Sequence, residues 1–219
     1  MSNNTEIKPQ NFPKLTLFFV LNVSVFFILA SDKSFNASMW KFIKDIALTE
    51  NGAIFLIASL AIIVLDGVVP NGLKDFFVFW RRPHPLPGHR AFTVIAKKSP
   101  DTIDLKVLRK YANPLPKVPA KQNKLWMDIY EKYQDHPSVT QVHRAYLLTR
   151  EMTSLCVLFA LLFPTVLYLI QVDKPDHVFA LKYFAVLFVQ FILIATSSRS
   201  YGNGLVHVVL VRASATVRK

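Results

Sequence analysis

Four long apolar runs alternate with polar segments along the chain. They lie at Leu15–Ala30, Ala53–Val69, Met152–Val172 and Val178–Thr196. Each run is close to the roughly 17–25 residues that an α-helix needs to cross a hydrocarbon core about 30 Å thick. The pattern therefore predicts an all-α membrane protein with four transmembrane helices and a mostly helical, water-facing insert between the second and the third.

Two other interpretations of these runs are less consistent with the sequence. The first run follows Lys14 and could be a cleaved signal peptide, but Ile28-Leu29-Ala30 is a poor small-residue cleavage site. The third run could be a helix buried in a soluble core, but residues 152–172 contain no charged side chain, which is rare in such a helix. We therefore expect both runs to be retained in the membrane.

The distribution of charge predicts the topology. The chain has a net charge of +12, although 52% of its residues are hydrophobic. Residues 70–151 hold 15 Lys and Arg against seven Asp and Glu, which is +8, and the segment after the fourth run has four basic residues and no acidic one. Because cytoplasmic segments of membrane proteins carry an excess of Lys and Arg, the insert and both termini are predicted to be cytoplasmic.

Three regions follow from this topology. Residues 1–72 hold the first two transmembrane helices and an external amphipathic helix, at about 35–46, in the lipid headgroup region. Residues 73–150 form a basic cytoplasmic module. Residues 151–219 hold the last two transmembrane helices and a basic cytoplasmic tail.

Inside the module, proline and periodicity indicate where helices begin and end. Ser99-Pro100-Asp101 predicts a helix that begins at Ser99 and runs to about Tyr111. Further helices are predicted over Lys121–Gln134 and from Val139 into the third apolar run. Residues 92–96 are rich in Val, Ile and Thr and could form a short strand.

A stripe of large apolar residues precedes this part of the module. Leu73, Phe76, Phe77 and Trp80 recur at helical spacing and end at Arg81-Arg82. The pattern predicts an amphipathic helix with its rings at the inner membrane surface, where guanidinium groups meet lipid phosphates.

Basic residues that could bind an anion are concentrated between positions 81 and 90. Three prolines and a glycine exclude regular structure there and hold the loop extended. Arginine matches the geometry of phosphate, and lysine adds a more diffuse attraction. The candidate ligand-binding residues are Arg81, Arg82, His89, Arg90, Lys121, Lys124 and Arg144.

Metal binding is a weaker interpretation of the same loop. His84 and His89 have no third or fourth ligand close in the sequence, and the single cysteine, Cys156, lies in the third apolar run. We therefore expect neither a metal nor another cofactor.

Three polar residues lie within the apolar runs or at their ends. Asp66, Lys182 and Gln190 are costly in hydrocarbon, so they are candidates for a pore or for polar contacts between helices. Asp66 and Lys182 are close enough to the ends of their runs to reach water instead, which is the simpler interpretation.

The sequence contains no motif that indicates an enzyme. It lacks the Gly-x-Ser-x-Gly, Gly-x-x-x-x-Gly-Lys-Ser/Thr, His-Glu-x-x-His and dinucleotide-binding patterns.

Two classes of non-enzymatic function remain. The first is an oligomeric channel gated by an anionic ligand, with phosphates on Lys and Arg and bases stacked on rings. The second is a membrane sensor or scaffold that recruits a cytosolic partner protein. The aromatic residues on which bases could stack are Tyr111, Trp126, Tyr130 and Tyr133. The same residues could instead fill the core of the module.

The layout of four spans and a basic insert that opens with Phe76-Phe77-Val78-Phe79-Trp80-Arg81-Arg82-Pro83 resembles the small multi-pass membrane effectors of bacterial anti-phage defence. The Hailong channel effectors are one such family, and the membrane components of Kiwa systems are a second. The first resemblance implies a homotetrameric ion channel in the bacterial inner membrane, held shut by a single-stranded DNA oligonucleotide. The second implies a membrane sensor.

Overall fold

The computed structural model describes residues 4–30, 60–61, 64–169 and 177–215, and within these ranges it is helical and contains no strand. The principal helices are α1 (Asn4–Ala30), α2 (Asn71–Phe79), α3 (Leu105–Leu108), α4 (Pro119–Tyr133), α5 (Pro137–Leu169) and α6 (His177–Ala215). The all-α prediction is thus confirmed for this part of the chain. The predicted external helix and most of the second predicted span lie outside the described residues.

The chain divides into two compact units. The first, called here the module unit, comprises residues 4–11, 71–150 and 195–215. The second, called the apolar unit, comprises residues 12–30, 151–169 and 177–194 together with the described residues before Asn71. Both α5 and α6 contribute residues to each unit.

Helices α4 and α5 each begin two residues before the predicted starts at Lys121 and Val139. Pro119 and Pro137 occupy first helical positions, where the missing N–H of proline costs nothing. Helix α4 buries Trp126, Ile129 and Tyr130 on one side. Helix α5 continues for 33 residues into the third apolar run, with Pro164 inside it. The predictions of these two helices are confirmed.

The segment between α2 and α3 differs from its prediction. The possible strand at 92–96 is instead helical: a 3-10 turn at Pro87–Arg90 is followed by a π-helical turn at Ala91–Ile95 and an α-helical turn at Ala96–Lys98. The physical reason is Gln122, whose buried Oε1 accepts hydrogen bonds from the Phe92 and Thr93 backbone N–H groups at 3.1 Å. A side chain 30 residues away thus satisfies N–H groups at this irregular turn.

The helix predicted from Ser99 to Tyr111 is largely absent. The only α-helix within that range is the single turn α3. Its cap is Asp104, whose carboxylate accepts a hydrogen bond from the Lys106 backbone N–H at 2.8 Å. The stronger cap lies five residues after the predicted one, and the chain turns through 99–103 before it.

Helix α2 is found as predicted, but it buries a different face. Lys74, Asp75, Val78 and Phe79 are the buried residues, whereas Trp80 is 51% exposed. Polar residues are buried here because they have partners. The Asp75 carboxylate pairs with Arg150 of α5 at 3.5 Å and accepts a hydrogen bond from the Tyr146 hydroxyl at 3.0 Å.

The end of α6 forms part of the core of the module unit. Val206, Val209, Leu210 and Ala213 are fully buried there, in one cluster with residues of α2 and α4. The sequence had suggested a basic tail after Thr196. In the structure, the segment 195–215 belongs to the same compact unit as residues 71–150.

The apolar unit has an aromatic core. Phe26 of α1 contacts Phe163 of α5 and Tyr183 of α6, with ring centroids 4.6 and 5.2 Å apart. Its outer surface is also apolar, since Leu181, Phe188 and Leu193 are 65–72% exposed. A surface of this kind is unusual in water and normal in lipid.

Within the described residues, two helical segments are long and apolar enough to cross a membrane, namely Pro137–Thr165 and Leu181–Ala215. Only 39% and 22% of their most apolar stretches are buried. The 39 residues of α6 extend about 58 Å at 1.5 Å per residue, roughly twice the thickness of a hydrocarbon core. Membrane association therefore rests on these two segments, and the first predicted span lies within helix α1.

Candidate functional site

The loop that follows α2 places two predicted arginines at the surface. Arg81 and Arg82 are both exposed, and the Arg82 guanidinium lies 4.4 Å from the centroid of the Phe76 ring. Trp80, which precedes them, has a backbone φ of 51°, a conformation that bulky residues rarely adopt. This bend ends α2 and turns the chain toward α6.

An arginine that the sequence analysis did not select lies beside this bend. The Arg199 guanidinium is 4.1 Å from the centroid of the Trp80 ring, and its Nε–H donates to the Val78 carbonyl. Arg199 belongs to the part of α6 that lies in the module unit. Two contacts thus hold it against the end of α2.

His89 and Arg90 lie in the 3-10 turn at Pro87–Arg90, where both are partly buried. The His89 ring lies 4.6 Å from the ring of His84. Burial lowers the pKa of His89, and the nearby charges of His84 and Arg90 lower it further, against the raising effect of the Leu86 carbonyl. Burial also lowers the pKa of Arg90, with a smaller contribution from the positive charge of Arg81. Burial and neighbouring positive charge thus both disfavour the charged forms of these two side chains.

Arg81, Arg90 and Arg199 form what we call the arginine cluster. Arg81 is close enough for its charge to act on both of the others. Within the described part of the chain, no carboxylate forms an ion pair with Arg90 or Arg199. The buried Nε of Arg90 and the buried Nη2 of Arg199 likewise have no hydrogen-bond acceptor among the described residues. Two guanidinium groups with a spare buried donor and no ion-pair partner among the described residues, next to the charge of Arg81, are suited to an anion that accepts several hydrogen bonds.

A cleft of about 340 Å³ adjoins Arg90. One side comes from the segment 90–99 and the other from α6, where Asn203 and His207 follow Arg199 at intervals of four residues. Because residues four apart share one face of a helix, these three lie in a row. The lining residues are Arg90, Val94, Ile95, Lys98, Ser99, Asn203, Gly204 and His207, with no acidic residue.

The remaining predicted ligand residues lie elsewhere in the module unit. Lys121 and Lys124 are exposed on α4, and Arg144 lies on α5, where its carbonyl accepts a hydrogen bond from Asn11 at 3.0 Å. Among the described contacts, none joins these three residues to the arginine cluster. The structure thus brings together Arg81 and Arg90 of the predicted set, with His89 adjacent, and adds Arg199 to them.

Most of the aromatic residues proposed as stacking surfaces have structural roles. Trp126 and Tyr130 are buried and stack on each other at 5.4 Å. The hydroxyls of Tyr111 and Tyr133 lie 3.1 Å apart, and burial raises the pKa of Tyr111. Trp80, a residue not in that set, is the exposed ring beside the arginine cluster.

The polar residues of the predicted spans lie in the apolar unit. Lys182 is exposed, whereas Asp66 and Gln190 are partly buried. The buried Oε1 of Gln190 has no hydrogen-bond donor among the described residues. A role of these three residues in a pore remains a prediction from the sequence.

Among the described residues, no group of three or more His, Cys, Asp or Glu is placed to hold a metal ion. His84 and His89 therefore have no third metal ligand among the described residues. Two signals in the sequence point to the residues that were missed. Arg199, Asn203 and His207 have helical spacing, and they directly follow the small polar residues that end the fourth apolar run.

Comparison with known proteins does not assign the chain to a family. No family model, no curated protein and no solved structure matches it.

Proposed function

We propose that this chain is a multi-pass protein of the bacterial inner membrane that assembles into an oligomeric ion channel, gated by an anionic nucleotide or oligonucleotide on its module unit. One observation carries the proposal. Helix α6 contains Arg199, Asn203 and His207 near one end and an apolar segment long enough to span a membrane. A ligand that moves α6 at the arginine cluster therefore acts directly on a candidate membrane helix.

The contacts of Arg199 indicate how ligand binding is coupled to gating. Arg199 is held by the Val78 carbonyl and the Trp80 ring. A bound phosphate accepts hydrogen bonds from the free donor atoms of Arg199 and Arg90 and neutralises their repulsion. The ligand thus stabilises one position of α6 relative to the end of α2, and its release permits another.

Oligomerisation is part of the proposal because one chain is too small to enclose a water path. Four predicted spans, two of them supported by α5 and α6, form a channel only when symmetric copies surround an axis. The exposed apolar side chains of α6 in the apolar unit offer a surface for lipid and for a second copy. A homotetramer with both termini in the cytoplasm is the arrangement that we favour.

Planar-bilayer recording with the purified full-length chain tests the proposal. We expect reproducible unitary currents whose open probability changes at least severalfold on addition of nucleotide or oligonucleotide. Arg90→Gln should abolish the ligand effect but not the current. Arg109→Gln removes one exposed positive charge outside the cluster and serves as the matched control. Consistent absence of current in an inserted protein would contradict the channel and favour the alternative, a non-conducting sensor or scaffold that recruits a cytosolic partner.

The resemblance to anti-phage effectors suggests the biological setting. We propose that the channel depolarises an infected cell when its ligand is removed. Efficiency of plating of a phage panel on bacteria that carry the gene with its neighbours should fall by orders of magnitude, and Arg90→Gln, which cannot bind the ligand that keeps the channel closed, should be toxic to uninfected bacteria. Equal plating with and without the gene would contradict this role.

A further inference from the structure

The cleft beside the arginine cluster is larger than a phosphate group, and its lining includes apolar residues. We infer that it binds the nucleoside part of a single nucleoside phosphate, with the phosphate on Arg90 and Arg199 and with Asn203 as the residue that distinguishes the base. This inference rests on the proposed function, because it names the ligand class of the same site.

The charge of the cluster favours a phosphate with two negative charges. The positive charge of Arg81 acts on both Arg90 and Arg199, and each of these two keeps a buried donor atom without an acceptor among the described residues. A terminal phosphate is a dianion with three acceptor oxygens, whereas the phosphodiester of a typical lipid headgroup carries one negative charge. The cluster is therefore better matched by a phosphate monoester.

The volume of the cleft limits what is attached to that phosphate. About 340 Å³ is near the lower end of the range for small-ligand pockets, which is roughly 300–1,000 Å³. A cleft of this size holds one nucleoside and leaves no room for several successive bases. In an oligonucleotide ligand, it would hold the terminal nucleotide only.

The lining provides both kinds of contact that a nucleobase needs. Val94 and Ile95 supply apolar surface for the flat face of a ring. Asn203 is exposed in the cleft, and its amide carries a donor and an acceptor side by side. That pair can form two hydrogen bonds to one base edge, and such bidentate contacts discriminate between bases by about 1–3 kcal/mol.

Isothermal titration of the full-length chain, in nanodiscs of phosphatidylcholine, tests the inference. The probes are inorganic phosphate and the four nucleoside 5′-monophosphates. We expect the preferred nucleotide to bind at least about tenfold more tightly than phosphate, and about 5–150-fold more tightly than the least favoured nucleotide. Asn203→Ala should remove the preference among bases and leave the affinity for inorganic phosphate unchanged. Arg90→Gln should weaken the binding of every probe, and Arg109→Gln should weaken none.

The possible failures separate this inference from the proposed function. If phosphate and all four nucleotides bind equally well through Arg90, the nucleoside cleft is wrong and the anion site survives. If nanodiscs that contain phosphatidylglycerol or a phosphoinositide abolish nucleotide binding at Arg90, the ligand is a lipid headgroup and this inference fails. If none of these probes binds, this inference fails, and the proposed function fails with it only if oligonucleotides also leave the open probability unchanged. Because Asn203 is exposed, its substitution tests the cleft even if Arg90→Gln impairs folding.

Discussion

The two units of this chain differ in the described contacts of their polar side chains. In the module unit, several polar side chains join segments far apart in the sequence, as Asp75 joins Arg150 and Gln122 joins the turn at 91–95. In the apolar unit, the exposed Thr16 and the buried Asn22 donate to carbonyls four residues earlier in the same helix, a local contact that the module unit also makes at Thr149. The apolar unit also exposes large hydrophobic side chains on its outer surface.

This difference indicates two different solvents. A buried polar group in a water-soluble core needs a partner, and a partner on another segment fixes where that segment packs. In lipid, the cheapest partner for a hydroxyl or amide is the carbonyl of its own helix, and apolar side chains outside cost nothing. We therefore expect water around the module unit and lipid around the apolar unit.

The largest expected effect concerns the buried ion pair of the module unit. Asp75→Ala leaves the Arg150 guanidinium and the Tyr146 hydroxyl without their carboxylate, and breaking such a pair costs about 3–5 kcal/mol. Thermal unfolding monitored by circular dichroism should show a large drop in Tm. Asp128→Ala removes an exposed carboxylate on α4 and should change stability by less than about 0.5 kcal/mol. Equal effects would mean that the pair does not organise the core.

The second prediction tests the assignment of solvents directly. Phe188 and Val118 are large apolar residues with 65% and 54% exposure, one in each unit. Arginine at the first position should oppose membrane insertion by about 2.5–3.5 kcal/mol, because a charge in the middle of a span is expensive. Arginine at position 118 should change membrane insertion little. Membrane fractionation of Phe188→Arg and Val118→Arg measures the contrast, and equal insertion would remove the distinction between the units.

The third prediction concerns the close packing of α6 in the module unit. A Cβ at Gly202 would lie 2.8 Å from a ring carbon of Phe79 and 3.2 Å from one of Tyr146, whereas a Cβ at Gly204 meets its nearest atom at 3.8 Å. Gly202→Ala should therefore destabilise the module by about 1–3 kcal/mol through overpacking. Gly204→Ala should be neutral or stabilising, because alanine favours helix. Chemical denaturation of the two variants distinguishes them, and a similar midpoint for both would show that the rings move freely.

The sequence predicted what depends on neighbours within a helix and missed what depends on distant partners. Helices α4 and α5 were predicted because their periodicity and their prolines are local signals. The π-helical turn at Ala91–Ile95 depends on Gln122, and the buried face of α2 depends on Arg150. The sequence of the turn at 91–95 does not reveal Gln122 as its partner, and the sequence of α2 does not reveal Arg150.

The candidate site shows the same division. Arg81 and Arg90 could be selected because they lie in one proline-rich basic loop. Arg199 reaches them only because α6 continues beyond its apolar run and returns more than a hundred residues later to the end of α2. The helical spacing of Arg199, Asn203 and His207 shows that they share a face, but it does not show that this face packs against the end of α2.

The smallest expected effect is a pH dependence of the module unit that involves His89. Burial lowers the pKa of His89 below its ordinary value of 6.5, so the ring is neutral in the folded protein when the unfolded chain already binds a proton. The contribution of His89 is therefore fully present above pH 6.5 and is lost as the pH falls from 6.5 through the lower pKa of the folded protein, because protonation favours the unfolded chain. Between pH 7.5 and pH 5, the Tm of His89→Gln should decline less steeply than that of the unsubstituted protein. The difference between the two Tm values at pH 8, where His89 is neutral in both states, measures the effect of the substitution itself. Since the protonated ring would stand beside Arg90, an unchanged slope in His89→Gln would mean that His89 does not respond to the charge of the arginine cluster.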